Sequence, residues 1–184
     1  MIEEDRYCRP LFDLKVIVAC SEKKLSSLKS GLEELGGEVL ALPLLEARAV
    51  EDSSLLDQAV ERLEEYRWII FTSAYAVKFF MQRLIQKRSF IDPRNMPKVC
   101  AIGPATAEAV REYGISVTLI PERFVAEGIL DALSAYHGGL DQMSGYRVLL
   151  PRAKKARDVV PETLSKVGVR VDAVPCYEIT SAAL

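Results

Sequence analysis

Histidine is almost absent from this sequence: His137 stands alone among 184 residues, so a histidine-rich metal site is excluded. The four cysteines, Cys8, Cys20, Cys100 and Cys176, are scattered without a C-x-x-C pair, which signals neither a zinc site nor a disulfide framework. No stretch reaches the roughly 18 apolar residues of a membrane span. The opening MIEEDRYCRP is acidic and lacks the apolar region of a signal peptide, so the expectation is a cytoplasmic protein with no membrane partner. A charge excess is missing too. Lys and Arg number 24 against 26 Asp and Glu, leaving a net charge of −2 and no global basic field for nucleic acid. Any anion site must therefore be local. No G-x-S-x-G elbow, Walker loop or Rossmann G-x-G-x-x-G occurs, so a serine triad, nucleotide hydrolysis and dinucleotide binding all lack support.

What is present is apolar mass in a regular pattern. With 49% hydrophobic and 27% charged residues the chain is globular, and its length amounts to one domain of about 150 residues with a remainder. Residues 1–12 show no periodicity. LKVIVA from Leu14 is a short β-branched run, as expected of a strand buried on both faces. Leu25, Leu28, Leu32 and Leu35 then repeat at helical spacing behind a Ser21 cap, with Gly36-Gly37 as the stop. EVLALPLLEA, WIIFTS, VCAIG, VTLIP, RVLLP and VRVDAVPCYEIT are the further strand candidates. Between them fall helices capped by Asp52-Ser53 and by Ser73, one from about Pro104 to Tyr113, one near 127–136, and one from about Asp158 to Val167. Strands alternating with helices imply βαβ crossovers, an α/β protein with a largely parallel sheet.

An internal repeat bears on domain organisation. LGGEVLALPLLE and VGVRVDAVPCYE align without gaps, each with a helix-ending glycine, an extended run and a proline. Because proline cannot donate to a ladder, neither copy should sit mid-sheet over its whole length. Two explanations stand. The segments are either an outgoing and a returning connector lying side by side, or two unrelated αβ junctions sharing Gly and Pro punctuation. The connector reading divides the chain into an N-terminal arm (1–12), a strand-helix unit of an incomplete first domain (13–37), an outgoing connector (38–46), an inserted α/β domain (47–173) and a returning connector with a truncated end (174–184). One strand and one helix cannot cover each other's apolar faces. The expectation is then that the chain is a fragment, or that the first unit docks on the inserted domain or on a second copy, a route to self-association.

In such sheets ligands gather at the carboxyl ends of strands, beside helix N-termini whose backbone N–H groups bind carboxylate or phosphate. The turns around Phe71-Thr72-Ser73, Gly103-Pro104-Ala105-Thr106 and Pro151-Arg152 are the candidates, with capping as the competing role of their hydroxyls. Arg152 with Lys154, Lys155 and Arg157 forms the densest basic cluster, either a clamp for an acidic substrate or a solvated helix start. His137 beside Gly138-Gly139 reads as a surface loop residue. Tyr177, just beyond the second repeat's proline, is a phenol able to donate a hydrogen bond to a departing oxygen, or an aromatic that packs a hinge.

Taken in order, LGGEVLALPLLE, YRWIIFTSAYAV, IGPATAEAVREYG, IPERFVAEGIL and RVLLPRAKKARDVVPETLSKVGVRVDAVPCYEIT resemble the uroporphyrinogen-III synthase family, from about Leu14 onward. The resemblance implies two α/β domains joined by a two-stranded β connector, the second inserted into the first. It implies a lyase of tetrapyrrole (heme) biosynthesis that closes hydroxymethylbilane into uroporphyrinogen III, losing water and inverting the last pyrrole ring, with neither metal nor organic cofactor. Carried over residue by residue, the family's connector tyrosine falls on Tyr177. Its G-x-A-T turn falls on Gly103, Ala105 and Thr106, its F-T-S turn on Phe71, Thr72 and Ser73, and Arg152 becomes a cleft residue. Two positions depart from the family: Ala19-Cys20 stands where Thr-Arg is common, and Tyr75 where Asn is common. The family also continues for several tens of residues beyond the point matched by Leu184. A noncatalytic tetrapyrrole- or anion-binding module of the same fold is the alternative expectation.

Overall fold

The computed structural model describes residues 9–88 and 95–181, and the chain divides into two compact units, one of Met1–Arg48 with Ile179–Leu184 and one of Ala49–Glu178. Residues 1–8 of the sequence-defined arm lie outside the described residues, as do the side chains of Cys20 and of the Ser21 cap.

The first unit is a βαβ crossover. Strand β1 (Lys15–Ser21) leads directly into helix α1 (Glu22–Glu34), and β2 (Glu38–Ala49) returns parallel to β1. The helix ends where the spacing places its stop: Gly36 has φ +90°, in the left-handed region open to glycine. Registration runs from Lys15 opposite Glu38 to Cys20 opposite Pro43, then slips so that Ser21 faces Leu45. Thr180 Oγ1, near the end of the last strand, donates to the Glu46 carbonyl at 3.5 Å, so those final residues lie beside β2.

The second unit carries the core. Its parallel strands are β3 (Trp68–Phe71), β4 (Lys98–Ala101), β5 (Arg147–Ala153) and β6 (Arg170–Ser181, to Glu178 in this unit), in the order β6-β5-β3-β4. The helices are α2 (Ser54–Glu61), α3 (Ala74–Lys87), α4 (Pro104–Arg111), α5 (Ala126–His137) and α6 (Val159–Lys166). Side chains alternate across a strand. Trp68, Ile70, Val148 and Leu150 pack with Ile129 and Leu133 of α5 and Val160 and Leu164 of α6. Phe71 points the other way and meets Phe80 of α3 edge-on at 5.6 Å. Coverage on both faces is why these strands read as unbroken apolar runs. Val77, Phe80, Met81 and Leu84 are buried as the helical spacing requires, whereas Ile85 and Leu55, on the flanks of their stripes, are about half exposed.

Two sequence expectations are corrected. LKVIVA forms a strand, β1, but is not buried on both faces: Ile17 is 65% exposed. VTLIP is not a strand: Leu119 makes one parallel bridge to Cys100, and Pro121 follows at once, which restricts the preceding residue and removes a donor. The Asp52-Ser53 cap of α2 forms as the sequence suggests: Ser53 is the N-cap residue and the Asp52 carboxylate accepts from the Ser54 N–H at 2.9 Å. No helix among the described residues is long and apolar enough to cross a membrane.

Candidate active site

The carboxyl edge of the second unit's sheet collects the candidate residues. Beyond β3, Ser73 adopts extended backbone and its Oγ accepts from the Ala76 N–H at 3.0 Å, fixing the N-terminus of α3 as the sequence suggests. On the neighbouring strand, the Ile102 N–H donates to the Phe71 carbonyl, which sets the Gly103 turn beside the Ser73 turn. Gly103 is the N-cap of α4 with Pro104 following, and its carbonyl accepts from the Thr106 and Ala107 N–H groups. Thr106 is buried and Ala105 exposed. A Cβ at Gly103 would stand 3.2 Å from the Phe124 ring, so a bare backbone here lets Phe124 close over the turn.

Tyr177 reaches this edge from β6. Its hydroxyl lies 3.0 Å from Ser73 Oγ, and its ring stacks on Phe79 at 5.8 Å and 12° and tilts against Tyr75 at 5.8 Å. Its immediate neighbour Cys176 also meets α3, with Sγ 3.8 Å from the Ala76 carbonyl. In a regular strand adjacent side chains point to opposite faces. The exception has a cause: the β5–β6 register breaks here, Arg152 facing Pro175 and Ala153 facing Tyr177, so Cys176 is bulged out of the pairing. The Lys154 N–H then donates to the Tyr177 carbonyl at 2.8 Å and holds the re-aimed residue. Proline at the break removes a ladder donor where the ladder is already interrupted.

Arg152 sits in the same edge but is 8% exposed, with one guanidinium nitrogen 2.6 Å from Asp158, the N-cap residue of α6. Its charge is answered within the fold. Burial pushes the Cys176 thiol up to about 12, which leaves it protonated and unsuited to nucleophilic attack. Among the described residues no group of His, Cys, Asp and Glu is arranged to hold a metal ion. The edge therefore offers backbone N–H groups at two helix N-termini, a hydroxyl and a phenol. Groups of these kinds can accept an anion and donate hydrogen bonds to oxygen.

The structure thus brings Ser73 and Tyr177 together and sets Gly103 and Thr106 at the start of α4, just beyond the adjacent strand. Thr72 lies half-buried between β3 and the Ser73 cap. Sequence reasoning passed over Phe79 and Phe124. Phe79 adjoins a residue of the buried α3 stripe and carries no separate signal, while Phe124 is legible only once Gly103 is seen beneath it.

A sequence model of the family described as "Uroporphyrinogen-III synthase HemD" matches residues 26–183. The chain belongs to the uroporphyrinogen-III synthase family. A relative in Methanothermobacter thermautotrophicus is 36% identical over 146 residues, 79% of this chain and 54% of its own. The uroporphyrinogen-III synthase of Synechococcus elongatus is 27% identical over 173 residues, 92% of this chain and 62% of its own. The chain spans about half the length of the curated relatives it matches. The crystal structure of a mutant Thermus thermophilus uroporphyrinogen III synthase superposes with a TM-score of 0.62 at 18% identity, over 91% of this chain and 64% of that one. That likeness shows the family's α/β fold with its parallel sheet.

Proposed function

We propose that this chain contributes to the closure of hydroxymethylbilane into uroporphyrinogen III, with Tyr177 donating a hydrogen bond to the departing hydroxyl. The observation that carries the reading is the Tyr177–Ser73 contact of 3.0 Å at the carboxyl edge, where the family's connector tyrosine and F-T-S turn meet. The Ser73 hydroxyl already accepts from Ala76, so its own proton is free to go to Tyr177 Oη, leaving the phenolic proton for the substrate. Loss of hydroxide from this substrate leaves a delocalised cation, so the protein's work is orientation and leaving-group assistance rather than strong acid–base chemistry. Backbone N–H groups at the Ser73 and Gly103 turns receive substrate carboxylates, with Thr72, Ala105 and Thr106 lining the same edge. Arg152, held by Asp158, shapes the edge from beneath. In this reading residues 47–173 form the inserted domain and the two proline-bearing strands its connectors.

The test is a coupled assay with freshly made hydroxymethylbilane that resolves the type III isomer from the spontaneously formed type I. Type III product is expected, and Tyr177→Phe lowers its rate on the order of 10²-fold, the usual scale for a positioned proton donor. Type I alone from folded protein refutes the proposal.

A further inference from the structure

At the opposite, amino edge of the same sheet lies a cavity of about 260 Å³ that the reaction does not use. Arg67 precedes β3, Lys98 opens β4 and Tyr146 precedes β5; the Lys98 N–H donates to the Arg67 carbonyl, so the rim is continuous. The Arg67 guanidinium lies 5.5 Å over the Tyr146 ring. Lys98 Nζ stands 5.0 Å from the Tyr136 ring centre, 3.1 Å from its hydroxyl and 5.9 Å from the Trp68 ring. Among the described residues neither cation has a carboxylate within ion-pair distance, and the one acid of the lining, Glu64, is taken by Arg88 at 2.5 Å.

His137 completes the wall. Trp68 Nε1–H donates to its Nε2 at 3.1 Å, which places the ring proton on Nδ1 as a further donor. Burial and the nearby Lys98 both hold the imidazole below its usual pKa, so it is neutral near pH 7. The C-terminus of α5 opposes an anion here, but its partial charge of about −0.5 is outweighed by two full positive charges. The volume lies just below the usual range of about 300–1,000 Å³ for ligand sites, which limits the occupant to one ring and its anionic group.

We propose that this amino-edge cavity binds a small planar ring bearing a carboxylate, the anion between Arg67 and Lys98 and the ring against the aromatic wall. The site is independent of the Tyr177 chemistry. Trp68 is the single tryptophan of the sequence; it is 1% exposed but borders the cavity, donates to His137 and lies under Lys98, so its fluorescence reports occupancy through those neighbours. Titration of the intact chain with benzoate should give a saturable change, weakened about tenfold or more in an Arg67→Gln/Lys98→Met double variant. Lys98→Met alone keeps the apolar stem and should weaken it in part, with near-ultraviolet circular dichroism verifying that both variants fold. The proposal is overturned if benzoate gives no saturable change, if the folded double variant binds as the parent does, or if inorganic phosphate or cyclohexanecarboxylate matches benzoate.

Discussion

The chain builds the same βαβ crossover twice, and the two copies have different fates. In β1-α1-β2 the register opens at Lys15 opposite Glu38 and closes, after a slip beyond Pro43, at Ser21 opposite Leu45. In β5-α6-β6 it opens at Arg147 opposite Arg170 and closes, after a slip beyond Pro175, at Ala153 opposite Tyr177. Gly36 and Gly168 end the two helices with φ of +90° and +81°. The repeat seen in the sequence is thus a repeat of backbone geometry, bulge included. Burial does not repeat. Ile17, Leu28 and Leu45 of the first copy are 65%, 46% and 49% exposed, whereas the matching Leu149, Val160 and Tyr177 are 0%, 3% and 8% exposed. Local residues set the turn, the slip and the helix stop. Whether the apolar side chains leave water depends on what else the chain brings to them.

The sharpest way to break this comparison is to truncate matched residues. Leu149→Ala should cost about 2–5 kcal/mol in equilibrium denaturation, because it empties a closed core, while Ile17→Ala should stay within about 0.5 kcal/mol. Equal losses would mean that the first copy also depends on a packed interior. Gly168→Ala and Gly36→Ala form the converse pair. Each forces a side chain into the left-handed region, and an added Cβ would meet Ser144 Oγ at 2.7 Å or Arg9 Cβ at 2.8 Å. Both should lose about 1–2 kcal/mol by thermal or chemical unfolding, and a large inequality would show that the helix stops are not equivalent.

The smallest effect is electrostatic. Bonds from Arg83 first, then Lys87, hold the Asp57 carboxyl at about 2 against an ordinary 3.8. A depressed pKa contributes stability above the unfolded value, and that contribution is lost as pH falls from about 4 toward 2. Asp57→Asn should flatten that acid limb by no more than about 1 kcal/mol, since the pair is partly solvated. In the first unit the Lys15–Glu38 pair is 82% and 75% exposed, so Glu38→Gln should change the unfolding free energy by less than about 0.5 kcal/mol.

Much of the fold was legible because its determinants are local. The runs at Trp68 and Arg147 are strands because apolar β-branched and aliphatic residues recur without interruption, and the Ser73 cap is an oxygen three residues before the N–H it serves. VTLIP misled because its composition is that of a strand while its proline stops the ladder after one bridge. The candidate edge was legible in part. The Ser73 and Gly103 turns follow from strand-helix junctions, but Arg152, read as a clamp for substrate or a solvated residue, proved to be committed to Asp158. His137, read as a surface loop residue, ends α5 and accepts from Trp68, a partner far away in sequence.

By itself the sequence determined the order of elements, the helix caps and stops, the parallel α/β architecture and the two proline-marked repeats, because periodicity, capping and φ preference act over a few residues. Only the tertiary structure decided that Tyr177 would meet Ser73, that Arg67 and Lys98 would flank an open cavity at the far edge, and that one copy of the crossover would be buried and the other exposed. Those outcomes depend on strand order and on a one-residue slip that re-aims a side chain. A contact between residues a hundred positions apart has no local signature.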